Sequence, residues 1–152
     1  MDSPRQLVIF NLDERRYALH LPTVERIVMV AEITPLPKAP QIVLGVINIQ
    51  GRIIPVINVR KRFNLPEREI TLSDHLIIAN TTRRTVVLVV DAVSGVVDRP
   101  EEEIIIPDKI LPGLEYVQGV MKLEDGLILI HNLEMFLSLE EEIMLEQAIG
   151  SN

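Results

Sequence analysis

Residues 7–28 read LVIFNLDERRYALHLPTVERIV, and residues 76–97 read LIIANTTRRTVVLVVDAVSGVV. At an offset of 69 the two stretches share seven of 22 positions: Leu7/Leu76, Ile9/Ile78, Asn11/Asn80, Arg15/Arg84, Leu19/Leu88, Val24/Val93 and Val28/Val97. Elsewhere apolar positions mostly meet apolar positions. A second pair follows in the same order at an offset of 74. Residues 45–59, GVINIQGRIIPVINV, fall on residues 119–133, GVMKLEDGLILIHNL, with Gly45/Gly119, Val46/Val120, Ile54/Ile128 and Asn58/Asn132 coincident. The offset grows by five, so five extra residues are expected in the Pro- and Glu-rich stretch Arg99 to Glu115. The chain reads as a duplicated unit of roughly 70 residues. Such a unit is short for an independent core, so the two copies are expected to pack on or through each other.

Each copy reads as strands. Leu7–Leu12, the charged turn Asp13–Arg16 and Tyr17–Leu21 form a hairpin pattern, repeated by Leu76–Ala79 and Thr85–Val90. Val24–Val30 and Val93–Val97 come next. Gly45–Ile49 and Ile53–Val59 make another pair, matched by Gly119–Leu123 and Leu127–Asn132. Pro35, Pro37 and Pro40 mark an extended connection, as do Pro100, Pro107 and Pro112 in the second copy. Four or five short strands with tight turns suit a small closed barrel, because closure removes edges that a Val/Ile-rich sheet could not safely leave open. Arg60–Phe63 is read as one helical turn. Ser138-Leu139-Glu140-Glu141 is a capping-box sequence, and 139–149 reads as an amphipathic helix with Leu139, Ile143, Met144 and Ile149 turned to the barrels and Gly150 at its end.

Composition agrees. The 152 residues hold 17 Val and 20 Ile against 19 Leu and 6 Ala. Branching at Cβ disfavours helix and suits a pleated surface. Cysteine is absent, which excludes disulfides, thiolate catalysis and cysteine-held metals. The first residues do not read as a signal peptide, and no apolar run approaches the roughly 20 residues of a membrane helix. The expectation is a soluble cytoplasmic protein without direct membrane insertion. Net charge is −7, divided as +2 over residues 1–75 and −9 over residues 76–152. An acidic chain with 3% aromatics and one short basic cluster, Arg60-Lys61-Arg62, is not expected to bind nucleic acid. That cluster reads as a solvated helix face.

Catalytic patterns are missing. His20, His75 and His131 are scattered and lack the i, i+4 spacing of a helical metal site. His131 reads as a barrel-lining or surface histidine. None of the serines sits in a nucleophile elbow. Asp91-Ala92-Val93-Ser94-Gly95 reads as a strand-ending turn, Glu101-Glu102-Glu103 as a solvated edge, and Glu124-Asp125 as part of a turn. No catalytic residue, metal site or cofactor is expected. The apolar surplus points to a binding module, with a cleft between two barrels as the docking groove.

The run Gly45-Val46-Ile47-Asn48-Ile49-Gln50-Gly51-Arg52-Ile53-Ile54-Pro55-Val56-Ile57-Asn58-Val59 resembles the G-V-x-N-L-R-G-x-I-x-P-V-x-D-L-R run of the CheW family of bacterial chemotaxis coupling proteins. Ile33-Thr34-Pro35-Leu36-Pro37 and Val90–Val96 match further family segments, and the resemblance spans about residues 6–138. It implies two intertwined five-stranded SH3-like β-barrels in a single domain over 6–138. The first barrel is expected mainly at 15–75, and the second mainly at 76–138 with an N-terminal strand added. It implies a non-catalytic adaptor whose partners are the regulatory domain of a CheA-type histidine kinase and the cytoplasmic tip of chemoreceptors. Recruitment to membrane-associated receptor arrays goes with that role. By position, Val24, Ile27 and Val28 are expected on the kinase-facing side. Gly45, Asn48 and Gln50 are expected near the receptor groove, with Val86, Val87 and Val93 lining the second barrel's share of it.

The chain departs from the family at two coupled positions. Arg26 stands where the family has Glu, and Gln50 where it has Arg, 24 residues on. An Arg26–Gln50 pair can hydrogen-bond but has no opposite charges. Asn58 replaces the usual Asp. Three readings remain open: the chemotaxis adaptor, an adaptor of a divergent motility or regulatory pathway, and a small-molecule-binding β-barrel regulator. An enzyme of unknown type would need convergent polar groups that the sequence does not display.

Overall fold

The structure, a computed structural model, describes residues 5–29, 31–106 and 116–150. Val30, Pro107, Pro112 and most of the expected insertion lie outside those residues. The first copy supplies β1 (Arg5–Leu12), β2 (Arg15–His20), β3 (Val24–Val28), β4 (Val43–Ile49), β5 (Arg52–Ile57) and a helical turn, α1 (Val59–Arg62). The second supplies β6 (His75–Asn80), β7 (Thr85–Val90), β8 (Ala92–Arg99), the two-residue β9 (Ile104–Ile105), β10 (Val117–Leu123) and β11 (Gly126–His131), followed by α2 (Leu139–Gly150).

The strands form one sheet in the order β3-β6-β7-β5-β4 and another in the order β8-β1-β2-β11-β10-β9. Each copy therefore gives its first hairpin to the other: β1 and β2 join the sheet of β8–β11, and β6 and β7 join that of β3–β5. β3 pairs with β6 of the second copy, and β8 pairs with β1 of the first. The short link Leu21–Thr23 carries the chain from one sheet to the other, and Asp91 alone does so between β7 and β8. The expected division at residue 75 is corrected accordingly. One barrel is built of β3–β5 with β6 and β7, the other of β1 and β2 with β8–β11.

Side-chain alternation explains the closure. Ile47, Ile54, Val56, Leu76, Ile78 and Val87 form one cluster with Val28 against it, so all five strands of the first sheet point into a common interior. Leu7, Ile9, Ala18, Met121, Ile128 and Ile130, with Val97 and Ile104, do the same for the second. The opposite faces of β1, β2, β6 and β7 meet between the barrels. Phe10, Leu12, Tyr17, Leu19, Ile77, Ala79, Val86, Leu88 and Val90 form that third core. Strands buried on both faces read as continuous apolar runs, which is why 86–90 shows no alternation.

The helix is capped as its sequence requires. Ser138 N donates to Glu141 Oε1 at 2.8 Å, and Glu141 N donates to Ser138 Oγ at 3.1 Å. Its inward face differs from the expected one. Leu145, Ala148 and Glu142 are buried, while Leu139, Ile143 and Met144 are exposed. Leu145 lies in the central core with Ile149 against it, so this face still buries apolar side chains. Two ion pairs accompany the rotation, Arg84 Nε to Glu142 at 2.9 Å and Arg62 Nη2 to Glu141 at 2.7 Å, so the inward carboxylate is matched by a cation.

Candidate protein-docking site

Among the described residues β3 ends its sheet and pairs on one side only, with β6. The register slips between Val24 and Arg26, so Glu25 bulges. Bulges twist an edge and re-aim its side chains. Val24 is half-buried against the central core and Val28 half-buried over the barrel interior. Ile27 faces outward at 38% exposure, and Met29 beyond it at 50%. Of the three residues expected to face the kinase, Ile27 presents its side chain most fully, and sequence reasoning missed Met29.

The β4–β5 turn joins two strands of the same sheet. Gln50 and Gly51 both have positive φ, 53° and 85°, as a tight hairpin turn demands. Asn48 Oδ1 accepts from Gly51 N at 2.9 Å, tying the turn shut. Asn48 and Gln50 are exposed. Gly45 is not on this surface. It is buried at a register slip, with φ 155°, and a Cβ there would stand 2.3 Å from the Thr34 carbonyl oxygen. Its role is to let Thr34 bridge Val46 through two 2.8 Å backbone bonds.

Val86 and Val87 are likewise removed from the expected groove. They are 1% and 0% exposed, one in the central core and the other inside the first barrel, and have no side-chain surface to offer. Val93 is half-buried against the central core.

The expected Arg26–Gln50 pair is replaced. Arg52 Nη1 donates to Glu25 Oε2 at 2.7 Å, and Arg52 Nη2 donates to Thr85 Oγ1 at 3.0 Å. The hydrogen bond from Arg52 holds the Glu25 carboxyl below the usual carboxylate range. Glu25 is the neighbour of Arg26, and Arg52 lies two residues past Gln50. The acid of this pair stands one residue before Arg26 and its base two residues after Gln50, with the acid at the bulge. The signal was present in the sequence as Glu25-Arg26 and Gln50-Gly51-Arg52, but only the register reveals it.

A second polar cluster joins the barrels. Arg60 Nη2 reaches both carboxylate oxygens of Asp91 at 2.9 Å and Asp13 Oδ1 at 2.9 Å, while its Nη1 donates to the Pro66 carbonyl at 2.8 Å. Arg68 bridges Asp91 and Asp74. The solvated face expected for residues 60–62 is therefore corrected. Arg60 is buried and Arg62 half-buried, both paired with carboxylates, and only Lys61 is exposed. His131 is buried, 4.2 Å from the Phe63 ring and surrounded by Tyr17 and Phe136. It neither lines a barrel nor lies on the surface. Burial pushes its pKa down to about 4, despite the hydrogen bond to the Leu129 carbonyl. The described residues contain no group of carboxylates and histidines placed to hold a metal, and no helix long and apolar enough to cross a membrane.

Residues 6–141 match the CheW-like domain family. The chain belongs to that family. The CheW-like match covers both barrels and the start of α2. A chemotaxis protein CheW of Treponema pallidum is 30% identical over 146 residues, covering 92% of this chain and 86% of that protein. One from Rhizobium meliloti is 30% identical over 139 residues, covering 90% of each. The crystal structure of the scaffolding protein TtCheW from Thermoanaerobacter tengcongensis superposes with a TM-score of 0.83 at 32% identity, covering 91% of this chain and 95% of that one. The CheW-like fold of two SH3-like barrels is thus shared by sequence and by structure.

Proposed function

We propose that this chain is a non-catalytic adaptor that couples chemoreceptors to a CheA-type histidine kinase. The free edge of β3 carries the reading: a bulged strand with Ile27 and Met29 exposed beside it is a surface that another β-domain can cover. Val24 and Val28 support that edge from beneath. The exposed β4–β5 turn, with Asn48 and Gln50, is the surface we assign to the receptor tip. The small-molecule alternative finds less support, since close-packed side chains fill both barrel interiors.

The test mixes the intact protein with the regulatory domain of a CheA-type kinase from the same organism, followed by calorimetry. A complex at tens of micromolar or tighter that Ile27→Asp weakens supports the adaptor. No complex in that range overturns it.

A further inference from the structure

The charge that β3 presents to a partner is decided by which of its neighbours is already paired. Glu25 is occupied. Arg52 holds it at 2.7 Å, and Asn80 Nδ2 approaches it at 3.4 Å. Thr85 accepts from Arg52 and donates to Asn80 Oδ1 at 2.5 Å. Four side chains from β3, β5, β6 and β7 thus pin the bulge and cancel one another's charge. Arg26 follows directly. It is exposed on the free edge, has no ion pair among the described residues, and stands beside Ile27. The edge therefore carries a net positive spot on a chain of net charge −7. The charge of Arg26 also acts on Glu25, but with Arg52 already paired there one positive charge is left over, which rejects partners of like charge and rewards those of opposite charge.

We propose that Arg26 is a specificity determinant: the surface that docks on β3 carries a carboxylate opposite it, flanked by apolar side chains against Ile27 and Met29. This rests on the adaptor reading, with the kinase regulatory domain as the occupant. Glu25 and Arg52 are positioning residues that hold the bulge and keep Arg26 turned outward.

The experiment compares wild type, Arg26→Lys, Arg26→Gln and Arg26→Glu for affinity to the kinase domain at low and moderate salt. Sedimentation of each variant alone reads self-association, and a thermal melt checks the fold. Arg26→Gln should weaken binding roughly threefold, and Arg26→Glu roughly tenfold or more. Arg26→Lys should stay near wild type, and the salt dependence of wild type should flatten in Arg26→Gln. Equal affinity of wild type and Arg26→Glu overturns the proposal while leaving the adaptor reading intact. So does a charge effect confined to self-association, which would make a second copy the occupant. Failure of wild type to bind at all overturns both.

Discussion

Arg60 and Glu134 occupy the same place in the two copies, 74 residues apart, and clasp opposite barrels with opposite charges. Arg60 sits in the helical turn after β5 and binds Asp13, at the tip of the β1–β2 turn, at 2.9 Å. Glu134 sits in the turn after β11 and accepts from Thr82 N at 2.6 Å and Thr82 Oγ1 at 2.8 Å, at the tip of the β6–β7 turn. Asp13 and Thr82 are themselves equivalent at the offset of 69. Asn58 and Asn132 cap the two turns with slightly different reach, Asn58 accepting from Lys61 N at 3.0 Å and Asn132 from Glu134 N at 3.1 Å. Each barrel thus grips the hairpin of the other.

Burial makes the two clasps unequal. Arg60 is 8% exposed and Glu134 is on the surface. Arg60→Met should cost about 3 kcal/mol, because Asp91 and Asp13 lose their shared cation in a partly dry site. Glu134→Ala should cost about 1 kcal/mol or less. Urea unfolding of both variants checks the difference, and similar costs would refute the burial argument.

His131 gives the fold a pH dependence in a defined window. Its folded pKa is about 4, below the unfolded value of roughly 6.5. Between these values the unfolded chain binds a proton that the native state refuses. Stability is therefore full above about pH 6.5, declines as pH falls, and has lost about 3 kcal/mol near pH 4. Denaturation at pH 7.5, 5.5 and 4.5 should show this slope, and His131→Gln should flatten it.

Asp91 acts lower on the scale. Burial pushes its carboxyl up, but the bonds from Arg60, Asp13 N–H and Arg68 outweigh that and leave it below the usual range. A depressed carboxyl contributes stability above its unfolded pKa, near 4, and loses it as pH falls further. Asp91→Asn should therefore reduce the steepness of acid unfolding below about pH 4 while leaving the His131 window unchanged.

Two equivalent glycines should differ in tolerance. An alanine at Gly45 meets the backbone oxygen of Thr34 at 2.3 Å, at a positive φ. At Gly119 the nearest atom, at 2.6 Å, is the Ile104 side-chain methyl Cγ2. Backbone cannot step aside as a methyl can. Gly45→Ala should cost about 2 kcal/mol or more, and Gly119→Ala clearly less. Equal melting temperatures would count against the close approach of Thr34.

Val24→Asp and Ile27→Asp separate core from surface on one strand. Val24 packs on the central core, so an aspartate there should lower the melting temperature markedly. Ile27→Asp should melt near wild type and lose kinase affinity instead. Circular dichroism and calorimetry on the same samples distinguish the two.

The sequence by itself determined the strands other than β9, the duplication and the family, because period, turn residues and the capping box act over a few residues. Ser138 and Glu141 close on each other as written, and the 50–51 turn forms where the glycine allows it. Tertiary structure decided which copy each strand joins. The hairpins β1–β2 and β6–β7 each sit in the sheet of the other copy's later strands, and the chain crosses between sheets at the short links 21–23 and 91. It also decided faces. Val86 and Val87 lie between two apolar layers, so alternation carried no sign of inside or outside, and α2 buries Leu145 and Ala148 with Glu142 paired to Arg84. The Glu25–Arg52 pair was hidden for the same reason. A bulge shifts register by one residue, and no local pattern reports which partner stands across the barrel.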